Sequence, residues 1–286
     1  MKLIILLVTF LLLAIFFGFG LYQYKNPKAD NQTTNQNIAD QLLEIERYDS
    51  RVNEQALRNR YNLDNNYDKL AQSISLLNKS ISDIQNIYIK DSEATDNLLH
   101  KKFKNLSNQL EIKKDLIENF KSHNSIFKNS QLYAPIVGKE LIAIAEQENL
   151  QDAVKNYREI IIELLEFSLH GSSTNAMKLN LILPKLLESE KQMPEFAQSA
   201  SIEFINHVNT VIKEKSETDN YLNKALNSKS QKQISELSKA WKEQLVKNIN
   251  ADEKYNIYIL WYILFLLAYI VMMTWLLRKK YSASSI

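Results

Sequence analysis

From Ile38 onward the apolar residues of this chain fall at alternating spacings of four and three, the repeat of a helix that buries one stripe against its neighbours. One series runs Ile38, Leu42, Ile45, Asp49, Val52, Ala56, with a single acid in its seam. A second runs Leu70, Ile74, Leu77, Ile81, Ile84. The third reads Leu99, Phe103, Leu106, Leu110, Lys113, Ile117, Phe120, Asn124, Phe127, and is interrupted by Lys113 and Asn124. These stripes predict long helices packed side by side. With only 4 Gly and 4 Pro in 286 residues, the chain also lacks the turn-formers of a many-stranded sandwich, a doubly wound sheet or a glycine-rich phosphate loop.

Two apolar ends enclose this polar middle. Leu3 to Leu21 is about the length a helix needs to cross a hydrocarbon core, and Gly18-Phe19-Gly20-Leu21-Tyr22 offers no convincing small-x-small cleavage site. It reads as an uncleaved signal-anchor. Ile257 to Leu277 is uncharged, with Tyr255, Tyr258, Trp261 and Tyr262 at one end, Trp275 at the other, and Arg278-Lys279-Lys280 following at once. Aromatics at both ends suit an interfacial belt, and Lys2 together with the basic triplet places both termini in the cytoplasm by the positive-inside rule. Of the 35 Lys and Arg, six flank the two apolar ends, which leaves 29 against 33 acids and about −4 for the region between. That balance carries no nucleic-acid footprint. The absence of Cys means that an exported domain here must hold together without disulfides.

The organisation that follows is a transmembrane signal-anchor over 1–24, a polar linker over 25–36 containing Pro27, a helical domain over 37–254, a second transmembrane helix over 255–277 and a cytoplasmic tail over 278–286. The fold class is all-α, with long-helix bundles in an exported domain between two transmembrane helices. Asp91-Ser92 before Glu93 caps the third helix, and Pro135 with Gly138 ends it. A fourth helix runs from about Lys139 to Leu169, with Leu141, Ile144, Ala145, Ala153, Tyr157, Ile161, Leu164, Leu165 and Ser168 near one face. Gly171-Ser172-Ser173-Thr174 stops it and caps the next. Pro184 and Pro194 break the following segment into pieces. Helices then run from Glu195 to about Lys215, near Asp219 to Leu226, and from Gln231 toward the second apolar stretch.

Chemistry-bearing motifs are sparse. His100, His123, His170 and His207 lie far apart, with no Glu-x-x-His or His-x-x-x-His pair for a metal, and an isolated helical His is more often a packing residue. The sequence therefore points to no enzyme, no metal and no cofactor. Two stretches are unusual for helical filler. Asp49 through Leu70 crowds Arg58, Arg60, Asn66, Tyr67 and Asp68 at a helix end and the turn after it, and Glu118 through Pro135 is dense in Lys121, Asn124, Asn129 and Ser130 with apolar residues interleaved. A seam residue such as Asp49 or Asn124 must find a partner, because leaving it dry and unpaired costs roughly 1–3 kcal/mol. Two readings are open for these ten residues: an interhelical network that fixes register, or a small-ligand pocket between helices.

The same stretches carry a family resemblance. Leu57-Arg58-x-Arg60 followed by Asn66-Tyr67-Asp68-x-Leu70 resembles the early motif of the DAHL domain, the double all-helical ligand-binding domain of bacterial membrane sensors. Phe120-Lys121-Ser122-x-Asn124, then Asn129-Ser130, Tyr133 and Pro135, looks like that domain's most recognisable motif, and His207, Ile212, Asp219 and Leu222 are similar to its later helices. The similarity spans most of residues 40 to 250. It implies an extracytoplasmic helical sensor with two bundle-like modules between two membrane spans, joined to a cytoplasmic histidine kinase or other transmitter. Here the residues after Leu277 are too few for a kinase, so the transmitter is expected to be a separate protein. The expectation is a bacterial inner-membrane sensor whose periplasmic domain binds a small molecule or a periplasmic binding protein. The rival is a structural or scaffolding envelope protein that uses the bundle as a docking surface.

Overall fold

The structure is a computed structural model that describes the backbone of residues 2–91, 97–171 and 173–283, and the side chains of residues 10, 14–20, 36–86, 99–171, 174–247 and most of 249–275. Among the described residues every element is helical: α1 (Lys2–Arg60), α2 (Asp68–Asp91), α3 (Asn97–Gln147), α4 (Gln151–His170), α5 (Ser173–Glu190), α6 (Glu195–Leu226) and α7 (Ser230–Ala283). The expected caps at Ser92, Glu93 and Ser172 lie outside the described residues. Residues 25–36 form part of α1 rather than a break in it.

The heptad seams become the core. Every member of the first and third series is buried, including Asp49, Lys113 and Asn124. In the second, Leu70, Ile74, Leu77 and Ile84 are buried and Ser80 replaces Ile81 in the seam. The two charged interruptions meet each other. Lys113 Nζ lies 2.6 Å from Asp49 Oδ1, and the Ser230 hydroxyl at the start of α7 donates to Asp49 Oδ2 at 3.2 Å. At 2 % and 0 % exposure the pair has no solvent to lean on. Burial pushes the Lys113 ammonium below its usual range, while Asp49 works to hold it up.

Several helix ends fall elsewhere than the sequence suggests. Pro135 and Gly138 lie inside α3, which continues to Gln147. Proline there forfeits one backbone N–H and leaves the Gln131 carbonyl without its helical donor. Buried Ala134, Leu141 and Ala145 hold the helix across that defect. Gly138 has a packing reason: a Cβ there would sit 2.8 Å from both Ile161 Cδ1 and Phe204 Cε2. The real stop is Asn149, at φ 60°, with Leu150 N–H bonded to the Ala145 carbonyl and Asn149 N–H to that of Glu146. The helix expected over Lys139 to Leu169 is therefore divided between α3 and α4. On α4 the buried face turns to Ile160 and Phe167, leaving Leu165 exposed. Gly171 does end α4, at φ 63° with its N–H on the Phe167 carbonyl.

Pro184 lies inside α5, where the carbonyl it frees belongs to exposed Asn180, and Pro194 is the N-cap of α6. No break separates Lys215 from Asp219, because Val211, Glu214, Lys215, Thr218 and Leu222 continue one buried face.

The chain divides into two compact units. The first comprises Met1–Leu43, Asp83–Phe103 and Ile234–Ile286. Among the described residues Ile38, Leu42, Ile84, Leu99, Phe103, Ile234, Leu237 and Trp241 are its buried apolar side chains, and Phe10 stacks on Tyr269 while Phe17 stacks on Tyr262, so these stretches of α1 and α7 run antiparallel. The second comprises Glu44–Ser82 and Lys104–Gln233. One apolar core cluster there gathers Phe127, Leu141, Tyr157, Leu164, Leu183, Phe204 and Val208. Tyr157 donates to or accepts from the Ser201 hydroxyl at 2.6 Å, and burial pushes its phenol up to about 12.

Candidate functional site

Two polar constructions stand side by side at the C-terminal end of α1, both within the second unit. The first closes the turn into α2. Asn62, at φ 59°, ends α1, with Leu63 N–H on the Arg58 carbonyl. Arg58 Nε then donates to Asp64 Oδ2 at 2.7 Å and Lys69 to Asp64 Oδ1 at 2.9 Å. Asn59 Nδ2 donates to the Asn66 carbonyl at 2.6 Å, and Asn66 Oδ1 accepts from Asp68 N–H, the first residue of α2. From α3, Asn124 Nδ2 donates to the Tyr67 hydroxyl at 2.9 Å and to the Asn59 carbonyl at 3.4 Å. Arg58, Asn66, Tyr67, Asp68 and Asn124 thus form one network that fixes the α1–α2 turn onto α3.

Arg58 and Lys69 hold the Asp64 carboxyl down to about 2. For a depressed carboxylate, the stabilisation is complete above its ordinary value near 3.8 and is lost as pH falls through its folded value. A carboxyl titration by NMR is expected to place the Asp64 midpoint near 2, and Arg58→Gln to return it toward 3.8. A native midpoint near 3.8 would mean that the turn is not closed in this way.

The second construction is a cavity of about 340 Å³ lined by Leu57, Arg60, Tyr61, Asn62, Gln131, Ser168, Leu169, His170, Lys215, Asp219, Leu222, Asn223 and Leu226. Four helices meet there: the last turn of α1, α3 at Gln131, the last turn of α4 and one side of α6 down to its end at Leu226. Arg60 Nε donates to Asp219 Oδ1 at 2.7 Å, and Lys215 Nζ to Asp219 Oδ2 at 3.2 Å. Arg60 and Lys215 are only 7 % and 5 % exposed. Phe127 lies beneath both, 4.8 Å from the guanidinium carbon and 6.0 Å from the ammonium. Burial first, and Arg60 second, push the Lys215 ammonium below its usual range, and the same two causes act on Lys128. Gly171 gives Lys215 its room, since a Cβ there would sit 2.7 Å from Lys215 Cε. The Ser168 hydroxyl is buried and has no hydrogen-bond partner.

Of the ten residues singled out in the sequence, Arg60 alone lines this cavity. Asp49 belongs to the Lys113 pair, and Lys121 makes an exposed ion pair with Glu118 at 2.8 Å. Ser130 is buried within 3.3 Å of His207 Nδ1, and Asn129 is exposed. His123 lies 2.6 Å from Glu214 and stacks on Tyr221. Ser168, Leu169, His170, Lys215, Asp219, Leu222, Asn223 and Leu226 are the cavity residues that the two motif-rich stretches do not contain. The signal for two of them was local: Lys215 and Asp219 stand four apart on a helix, which by itself reads as a surface ion pair. Among the described residues no group of three His, Asp or Glu is placed to hold a metal ion.

No curated protein and no solved structure matches the chain. A family model for the DAHL domain matches residues 30–256, which takes in both polar constructions and most of the seven helices, and the chain belongs to the DAHL domain family.

Proposed function

We propose that this protein is a two-span inner-membrane sensor whose exported helical domain binds a small ligand, or a periplasmic binding protein that carries one, and signals through a separate transmitter. The observation that carries the reading is the cavity at the end of α1, where two nearly buried cations share one half-exposed carboxylate. Buried charge without full compensation is unfavourable, so such a site gains from an occupant. Arg60 ends the helix that begins at Lys2, so a ligand that repositions Arg60 acts on the last turn of α1. Packed helices switch between discrete arrangements, and a small shift of α1 is what a transmitter would read.

Among the described residues no helix is long and apolar enough to cross a membrane. Both apolar stretches run on into positions whose side chains lie outside the description. What supports the spans is the uncharged sequence itself, the Phe10–Tyr269 and Phe17–Tyr262 stacks, and the outward exposure of Phe16, Phe19, Trp261, Phe265 and Val271. An apolar surface of that kind marks a membrane or partner contact.

The full chain in lipid nanodiscs, screened by thermal shift against small metabolites and periplasmic extracts, tests the reading. A ligand at a hundredfold excess over its dissociation constant should add about 2.7 kcal/mol of stability. Because the chain has no cysteine, single Asn65→Cys and Ser282→Cys variants report topology directly, the first labelled from outside and the second from the cytoplasm. Opposite labelling removes the membrane reading. The second reading, an envelope scaffold, is favoured by Met177, Leu181 and Phe196, which α5 and the start of α6 leave exposed. No stabilisation by any metabolite or extract would transfer the case to it.

A further inference from the structure

We propose that the cavity at the ends of α1 and α4 takes a small organic carboxylate, with its carboxylate on Arg60, Lys215 and Ser168 and its short aliphatic body against Leu169 and Leu222. The inference rests on the ligand-binding reading above and names its chemical class.

Charge argues first. The residues lining the cavity include two nearly buried cations and a single acid, Asp219, whose two oxygens are both engaged by those cations. A positive excess remains. Arg60 uses Nε on Asp219, and a guanidinium carries four further N–H groups in a fixed fork suited to a carboxylate. Asp219 thereby orients the two cations without neutralising them. The influence of Arg60 on Lys215 and Lys128, which pulls both ammonium groups down, is the repulsion that an anion would relieve.

Ser168 supplies the second argument. Ser168 lines the same cavity as the two cations and its hydroxyl is buried and unpartnered, and a buried polar group left unpaired in a native fold asks for an explanation. A carboxylate oxygen would accept from it. Size and wall chemistry narrow the class. About 340 Å³ is at the small end for a ligand site, and leucines supply part of the wall, which an inorganic oxyanion could not use. The C-terminal ends of α1 and α4 both border the cavity, and their partial negative charge penalises a dianion more than a monoanion.

Calorimetric titration of the full chain in nanodiscs with butyrate, butyramide and inorganic phosphate tests the class. Butyrate is expected to bind, with the neutral amide and phosphate each at least tenfold weaker. Arg60→Gln should weaken butyrate by about ten- to a hundredfold, the loss of charge-assisted hydrogen bonding. Because that variant also strips Asp219 of a partner, Ser168→Ala provides the control. It removes a hydroxyl that bonds to nothing, so the melting temperature should hold or rise while butyrate binding falls severalfold. Equal binding of butyrate and butyramide, preferential binding of phosphate, or Ser168→Ala leaving butyrate affinity unchanged would overturn the inference. Failure of acetate, butyrate, lactate and succinate alike would overturn it too. If neutral metabolites nevertheless stabilise the chain in the wider screen, the ligand-binding reading stands without the carboxylate class. If nothing does, both fall.

Discussion

Asp49→Asn is expected to destabilise the domain by about 3–5 kcal/mol, because it leaves the ammonium of Lys113 buried without its counter-charge. The size follows from the surroundings. Lys113 is 2 % exposed, its Nζ touches Asp49 at 2.6 Å, and its next contact is the Ser230 hydroxyl at 3.4 Å, too weak to stand in for a carboxylate. Urea denaturation followed by circular dichroism measures the loss. The double variant Asp49→Leu/Lys113→Met should recover most of it, since a well-packed apolar pair often replaces a buried ion pair at little or no net cost. Recovery would show that the pair fixes helix register more than it adds stability. A single variant that costs under about 1 kcal/mol would mean that water reaches Lys113.

The pH dependence has a definite sign. Burial holds the folded Lys113 below the ordinary value of 10.5, so over the interval between the two the unfolded chain binds the extra proton and stability rises with pH. Removing the Asp49 charge lowers the folded value further, and in Asp49→Asn the rise should begin at a lower pH.

The seams were readable in the sequence because their period survives its own interruptions. Ile38 to Ala56 and Leu99 to Phe127 keep spacings of four and three straight through Asp49, Lys113 and Asn124, and all three polar residues are buried where the period places them. Helix ends were harder to read, because the residues that look like breakers are not the ones that act. Pro135 and Pro184 each remove one hydrogen bond inside a helix whose buried face continues on both sides. Asn62 and Asn149 carry a weaker signature, being two among many asparagines in the chain, and yet adopt the left-handed conformation that turns it. The turn network was half visible, since Arg58, Asn66, Tyr67 and Asn124 lie in two compact motifs. The cavity was not. Arg60 meets Asp219 across 159 positions of sequence, and no local spacing encodes a contact of that range.

The two polar constructions share the last turn of α1, so disturbing the one without a cavity should be felt by the other. Asn124→Ala is expected to cost about 2–3 kcal/mol, from two lost hydrogen bonds and the space left by a fully buried side chain. One of those bonds goes to the Asn59 carbonyl in the last turn of α1, which accepts from Asn62 N–H at 3.4 Å as well. Asn59 precedes Arg60. Tyr67→Phe removes the other partner at 2.9 Å, and in a double-mutant cycle the two changes should cost clearly less together than separately. Additive losses would mean that the two side chains act independently. Neither residue lines the cavity, so a purely local role predicts that butyrate affinity in the folded variant is unchanged. Because the network holds the turn that carries Arg60, Asn124→Ala should instead weaken butyrate severalfold at temperatures where the domain remains fully folded, and Asn124→Asp should restore it only in part, since a carboxylate can accept from the half-buried Tyr67 hydroxyl but cannot donate to the Asn59 carbonyl, whose oxygen it repels.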